Sequence, residues 1–169
     1  MKRALQSIAV AACLLGSVAA SAATLDQIAE ADAGADLALL ETHVRDLLKL
    51  VRGHVAAVGL EQALKDFEDY PWKREANALH VWGITTSGVS WFDAGHPELV
   101  GLDASNMSDL EGRIWAEDAV RSALGKGDEV FIVVFPHPTT HQAATGLQSC
   151  FMLEDGQRTL CTGAFADPS

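Results

Sequence analysis

The chain has 169 residues, of which 49% are apolar, and it carries 12 lysines and arginines against 23 aspartates and glutamates. This length predicts one domain, and the apolar fraction is too high for a disordered chain. A net charge of −11 disfavours nucleic-acid and anionic-membrane binding, because both depend on clustered lysine and arginine. We therefore expect no nucleic-acid partner.

The N-terminus has the order of a secretory signal peptide. Lys2 and Arg3 are basic, residues 4–20 are small and apolar, and Ala20-Ser21-Ala22 matches an Ala-x-Ala cleavage site. An uncleaved anchor is the alternative, but the apolar run is shorter than the roughly 20 residues of a spanning helix. The pattern therefore predicts a signal peptide over residues 1–22 and one exported domain, periplasmic or secreted, over residues 23–169.

A stripe of apolar residues at helical spacing comes next. Its members recur at steps of three and four: Leu37, Leu40, Val44, Leu47, Leu48, Val51, Val55 and Val58. The stripe predicts a helix over residues 36–57 that ends near Gly59, and a second short helix over residues 60–67 comes before Pro71. Because the stripe lasts only three heptads, packing on a sheet of the same chain is favoured over a coiled-coil seam. Pairing with a second copy, giving a homodimer through this helix, remains open.

The middle of the chain predicts a hairpin, a loop and one more helix. Residues 79–85 and 89–92 flank a turn signal at Thr86-Ser87-Gly88. Residues 93–108 are typical of a loop. Ser108-Asp109-Leu110-Glu111 then has the Ser-x-x-Glu form of a capping box, which predicts a helix from that point through Leu124, where Gly125 and Gly127 follow.

Three strands complete the predicted fold. Residues 129–135 form a β-branched and aromatic run, residues 139–146 a polar loop, and residues 148–154 and 157–165 a terminal hairpin. The fold class is α+β: a long N-terminal helix packed on a five-stranded antiparallel sheet, with one helix inserted after strand two.

Two cysteines remain once Cys13 is removed with the signal peptide. Asp155-Gly156 lies midway between Cys150 and Cys161 and favours a two-residue type I′ turn, which would put the cysteines directly opposite each other. In an oxidising compartment this favours a cross-strand disulfide. A register shifted by one residue would put the sulfurs on opposite faces, and two small buried thiols are then the alternative. Their spacing is not that of a zinc site or a redox motif.

Four short stretches occur in an order that is similar to the motifs of a known family. They are Gly88-Val89-Ser90-Trp91 with Pro97-Glu98-Leu99-Val100-Gly101, Asp109-Leu110-Glu111-Gly112, Phe135-Pro136-His137-Pro138-Thr139, and Thr162-Gly163-Ala164-Phe165. Together they resemble the single Cache domain, the PAS-like extracytoplasmic sensor module of bacteria, in its stand-alone secreted form. The resemblance implies a PAS-like sheet with the long helix on one face and a small-molecule pocket on the other. It also implies a membrane sensor or chemoreceptor as partner.

Strand alternation identifies side chains that could line such a pocket. His80, Trp82 and Ile84 share one face of the first strand, and Phe131 and Phe135 share one face of the third. The ligand-binding set that we expect comprises Trp72, His80, Trp82, Trp91, Asp93, His96, Phe135 and His137. For each of these the alternative is an ordinary structural role, with the aromatic rings as core and Asp93 as a turn cap.

The resemblance also indicates a ligand class. The family commonly has His at the counterpart of Asp93 and Lys at that of Leu147, residue types that related domains use to hold small carboxylates. In this chain position 147 carries no cation and position 93 carries an acid, which favours a small polar or amine-containing ligand. Tryptophans would form a cation–π wall for that ligand, and Asp93 would supply the negative charge.

Other functions have weaker support in the sequence. His137, His141 and His96 could bind zinc or copper, but His137 lies between two prolines and lacks the helical i, i+4 geometry of such sites. The hydrolase, phosphate-loop and metalloprotease motifs do not occur, so we expect neither an enzyme nor a cofactor. Metal binding or a purely structural, dimerising role is the alternative function.

Overall fold

The computed structural model describes residues 37–74, 79–125, 129–137 and 139–166, so the predicted signal peptide lies outside the described residues. Two helices, α1 (Leu37–Val58) and α2 (Leu60–Phe67), come first and match the predicted bounds to within one residue. The remaining elements are β1 (Val81–Ile84), β2 (Ser90–Asp93), a short 3-10 helix (Pro97–Leu99), α3 (Trp115–Leu124), β3 (Val130–Pro136), β4 (Ala143–Met152) and β5 (Thr159–Phe165). Within the described ranges, none of the helices is both long and apolar enough to cross a membrane.

The five strands form one antiparallel sheet in the order β2-β1-β5-β4-β3. The last strand of the chain therefore lies at the centre, between the first and the fourth. This topology confirms the predicted α+β class, with helix α3 inserted between the second and third strands.

Helix α1 packs along one face of the sheet, which we call the helix face. Leu40 and Val44 contact Leu147 and Ala164 near one end of the helix. Further along, its apolar residues join a core that includes Phe92, Phe151 and Leu160 of the sheet and Phe67 of α2. The apolar stripe is thus used within the chain, as predicted. A homodimer through α1 stays a prediction, and it would need the other side of that helix.

The opposite surface of the sheet, which we call the distal face, lies under α3. The helix presents Ala116, Ala119 and Ala123 to the sheet, and these small side chains let it approach closely. They pack with sheet residues of the same face, namely Ile84, Phe131, Val133, Cys150 and Cys161.

Helix α3 begins at Trp115 and not at Ser108, so the predicted capping box is wrong. Asp109 is instead a buried turn residue whose carboxylate accepts backbone N–H groups of Glu111, Arg113 and Val134. An aspartate that is engaged in this way closes a loop and cannot cap a helix that starts six residues later.

The terminal hairpin has the predicted register but a different turn. Cys150 lies opposite Cys161 and the two form a disulfide. The turn is closed by the Gly156 N–H on the Leu153 carbonyl, and Gly156 has a positive φ of 65° whereas Asp155 does not. A type I′ turn needs both, so the loop has four residues, yet the same pairs face each other. β4 also starts earlier than predicted, at Ala143, because residues 143–146 pair with β3.

Candidate functional site

Two rows of side chains cross the distal face. In one row Asp93 of β2 pairs with Trp82 of β1, Trp82 pairs with Cys161, and Cys161 pairs with Cys150. In the next row Gly163 of β5 pairs with Gln148 of β4, which pairs with Phe131 of β3. The disulfide therefore lies in the floor of this face, beside the Trp82 indole.

Asp93, His80 and His96 form a polar group at the β2 edge of the distal face. The Asp93 carboxylate accepts the backbone N–H groups of Gly95 and His96 at 2.9 and 2.7 Å, and its Oδ1 lies 3.6 Å from Nε2 of His80. The His80 and His96 rings meet edge to face with their centroids 5.6 Å apart. A Cβ at Gly95 would come within 2.7 Å of the His80 ring, so glycine is what lets the loop cross this imidazole. Asp93 thus does cap a turn, and it also faces two imidazoles.

The Asp93 carboxyl has a raised pKa. Burial is the main cause, since its side chain is only 10% exposed. The nearby His80 and the two N–H groups oppose the shift but do not cancel it. A positively charged group next to Asp93 would therefore stabilise the ionised form of its carboxyl group.

The Trp82 indole is fixed by a side chain from the other half of the sheet. Its Nε1 donates a hydrogen bond of 3.1 Å to Oε1 of Gln148. The Gln148 carboxamide lies across Gly163, where a Cβ would overlap it. Trp82 therefore stands in a defined orientation next to Asp93.

Three aromatic rings, those of Trp82, Trp115 and Phe135, follow one another along the distal face. Trp115, the first residue of α3, meets Trp82 edge to face at 5.6 Å between centroids and Phe135 at 6.3 Å. Trp82 and Phe135, two residues of the predicted ligand-binding set, are thus linked by Trp115, which was not in that set.

His137 lies beyond Phe135, where β3 ends. Its Nδ1 accepts the backbone N–H of Thr139 at 3.2 Å, and its buried ring packs edge to face against Phe165 at 6.0 Å. His141 donates its backbone N–H to the His137 carbonyl. Among the described residues, no three or more histidine, cysteine and acidic side chains are grouped in a way that could hold a metal ion.

Trp72 and Trp91, two residues of the predicted set, lie on the helix face. Trp72 packs in the core with Phe67 and His54. The strand register shifts between Gly83 and Ile84, so no residue of β1 lies directly opposite Trp91. The Trp91 indole lies over Gly83, and its Nε1 donates a hydrogen bond to the Thr159 carbonyl. The sheet separates both rings from Trp82, so the structure does not bring them into one group with the other predicted residues.

Leu147 also points to the helix face, where it contacts Leu40 and Val44. The expectation that it occupies a pocket position is therefore wrong, and Gln148 is the residue of β4 that reaches the distal face. Alternation puts Gln148 on the same face as Cys150, but only the pairing of Cys161 with Trp82 shows that this is the distal face. Trp115 was missed because the predicted helix began too early.

No known family profile matches the chain, and no curated protein matches it in sequence. Solved structures do match. A methyl-accepting chemotaxis protein from Vibrio parahaemolyticus RIMD 2210633 aligns with a TM-score of 0.57 and 15% identity, over 89% of this chain and 96% of that one. A periplasmic sensor domain of a chemotaxis protein aligns at 0.54 and 14% identity, over 90% and 99%. A Cache chemosensory domain described for carboxylic acid recognition aligns at 0.53 and 16% identity, over 92% and 100%. At these identities the likeness is one of fold alone: the described part of the chain has the fold of these sensor domains, as the resemblance of its motifs implied.

Proposed function

We propose that this chain is an exported, non-enzymatic sensor domain that binds a small polar, amine-containing molecule on its distal face and acts with a membrane sensor or chemoreceptor. Its fold is that of the chemotaxis sensor domains that it resembles. Fold alone does not fix a ligand, so the ligand class is argued from the side chains.

The observation that carries the proposal is the pairing of a largely buried carboxylate with an indole. Asp93 and Trp82 lie directly opposite each other on adjacent strands, and Trp82 is held in place by Gln148 and Trp115. An ammonium group at this point would bond to the carboxylate and lie on the aromatic surface. His80 and His96 lie beside the same carboxylate and would shape the edge of the ligand site there.

The proposal departs from what is described for one structural neighbour. That Cache domain is described for carboxylic acids. In this chain a carboxylate ligand beside Trp82 would face the Asp93 carboxylate, and like charges at close range repel strongly in a poorly solvated site. The amine preference follows from that repulsion and no longer depends on Leu147.

A thermal-shift panel of small amines, amino acids and carboxylates tests the ligand class. An amine present at 100 times its Kd should stabilise the protein by about 2.7 kcal/mol, and Asp93→Asn should abolish the effect. Asp69→Asn, which changes an exposed aspartate near α2, is the matched control and should keep it. Stabilisation by carboxylates alone, retained in Asp93→Asn, would overturn the amine preference.

Export is proposed from the sequence of residues 1–22. Expression of the whole chain in a bacterium should give a periplasmic or secreted product whose first residue is Ala23, as measured by mass spectrometry after fractionation. An intact N-terminus in the cytoplasmic fraction would contradict this part of the proposal.

A further inference from the structure

Within the described residues, the Gln148 side chain makes one of the four hydrogen bonds that a carboxamide can make. The indole Nε1 of Trp82 carries a hydrogen and can only donate, so the atom that faces it must be the carboxamide oxygen. The orientation of the amide is thereby fixed, and its NH2 group lies over Gly163, on the distal face.

This NH2 group belongs to a buried residue and has no partner among the described residues. Gln148 is only 8% exposed, yet within the described ranges of the chain no acceptor lies within hydrogen-bond distance of its Nε2. Buried donors in native proteins are almost always paired, with protein, water or ligand atoms. A donor that is held rigidly by an indole on the candidate ligand face is preorganised for an acceptor that arrives with a ligand.

We infer that Gln148 donates a hydrogen bond to a neutral carbonyl-type oxygen of the ligand and so selects among small amines. The inference rests on the proposed function, because it adds a second contact to a ligand whose ammonium group is held at Asp93. The acceptor is neutral because Gln148 carries no charge to compensate a carboxylate on a face that already holds Asp93. β5, which carries Gly163, lies two strands from β2, a lateral distance of about 10 Å, so the amine and the carbonyl are several bonds apart.

Four matched compounds separate the two contacts when their affinities are measured by calorimetry. They are butylamine, butanamide, 4-aminobutanamide and 4-aminobutanoate. The wild-type protein should bind 4-aminobutanamide about tenfold more tightly than butylamine, which is the effect of one added hydrogen bond. It should bind 4-aminobutanoate more weakly than the amide.

Gln148→Glu is the diagnostic variant, since its carboxylate can still accept from Trp82 but offers no donor to the ligand. It should bind 4-aminobutanamide and butylamine alike. If the glutamate variant does not fold, Gln148→Met, which keeps the length of the side chain, should likewise bind the two amines alike. Near-UV circular dichroism checks that Trp82 keeps its environment in these variants. Gln142→Glu, at an exposed position just before β4, is the matched control and should behave as the wild-type protein does.

The outcomes distinguish this inference from the proposed function. Equal binding of both amines to the wild-type protein, unchanged in Gln148→Glu, overturns the role of Gln148 and leaves the amine site standing. Tighter binding of 4-aminobutanoate than of the amide also overturns it, because the acceptor is then anionic. Binding of none of the four compounds to the wild-type protein overturns the proposed function and this inference together.

Discussion

The carboxylate of Asp109 accepts the backbone N–H of Val134 at 2.9 Å, which ties the loop before α3 to the third strand. The same side chain accepts the N–H groups of Glu111 and Arg113 at 2.9 Å and lies 3.1 Å from the Arg113 guanidinium. One fully buried carboxylate thus sets where the chain enters the helix that covers the distal face. Because Trp115 starts that helix, Asp109 also positions the ring that joins Trp82 to Phe135.

Replacing Asp109 by alanine should destabilise the protein by about 2–4 kcal/mol, because three backbone N–H groups in partly buried hydrogen bonds and the Arg113 guanidinium lose their partner. Urea unfolding measures this loss. Asp103→Ala is the control: that carboxylate is exposed and bonds to nearby Ser105, two residues along the chain, so its removal should cost less than about 1 kcal/mol. Equal losses in the two variants would show that Asp109 does not have this role.

The contribution of Asp109 should depend on pH. Burial alone would raise its pKa, but the N–H groups of Arg113, Val134 and Glu111 and the charge of Arg113 outweigh burial and lower it below the ordinary value of 3.8. A carboxyl with a lowered pKa in the folded state stabilises above its unfolded pKa and loses that effect as the pH falls through the folded value. The stability difference between the wild-type protein and Asp109→Asn should therefore be constant near neutral pH and shrink below pH 3.8. A difference that persists at lower pH would contradict this.

Asp93 should show the opposite dependence. Its raised pKa means that the folded state binds the proton more tightly than the unfolded state, so ionisation costs stability above the folded pKa. Asp93→Asn keeps an oxygen for the N–H groups of Gly95 and His96 and removes this cost. The variant should therefore be at least as stable as the wild-type protein at pH 7 in the absence of ligand, and the gap should close as the pH falls toward 3.8. Calorimetric melting at several pH values measures it, and a large loss of stability in Asp93→Asn at pH 7 would show that the charge is structural.

The sequence predicted the helices and strands more accurately than the direction in which their aromatic side chains point. Helical periodicity located α1 because that helix has one buried stripe. Alternation placed His80 and Trp82 on one face of their strand, and Phe131 and Phe135 on one face of theirs. Trp91 went to the other side because a register shift at Gly83 interrupts the alternation, and no residue type announces such a shift. Gln148 lies within the predicted strand, but its place on the face of Trp82 depends on the pairing of Cys161 with Trp82, which are far apart in the chain. Trp115 starts helix α3, and the turn before that helix is closed by the bond between Asp109 and the distant Val134.

The disulfide should contribute to stability mainly by restricting the unfolded chain. It joins Cys150 to Cys161 across a separation of 11 residues, and closing a loop of this size is worth about 3 kcal/mol. Because both cysteines are fully buried, a reductant should not reach them in the folded protein, and the bond should be reduced only in urea. Unfolding curves with and without reductant, together with a thiol count of the folded protein, test both statements. Rapid reduction without unfolding would contradict the predicted protection.

Gly163 and Gly53 should respond in opposite directions to alanine. At Gly163 a Cβ would overlap the Gln148 carboxamide and the Leu147 carbonyl, which belongs to the backbone and cannot move cheaply. Gly163→Ala should therefore destabilise the protein by about 1–3 kcal/mol and release Trp82 from its fixed orientation, which near-UV circular dichroism detects. At Gly53, in α1, a Cβ meets nothing within 4 Å, so alanine should stabilise the helix by about 0.5–1 kcal/mol. If Gly163→Ala kept both the stability and the tryptophan signal, the carboxamide of Gln148 would not need to lie across Gly163, and the fixed donor on the distal face would lose its structural basis.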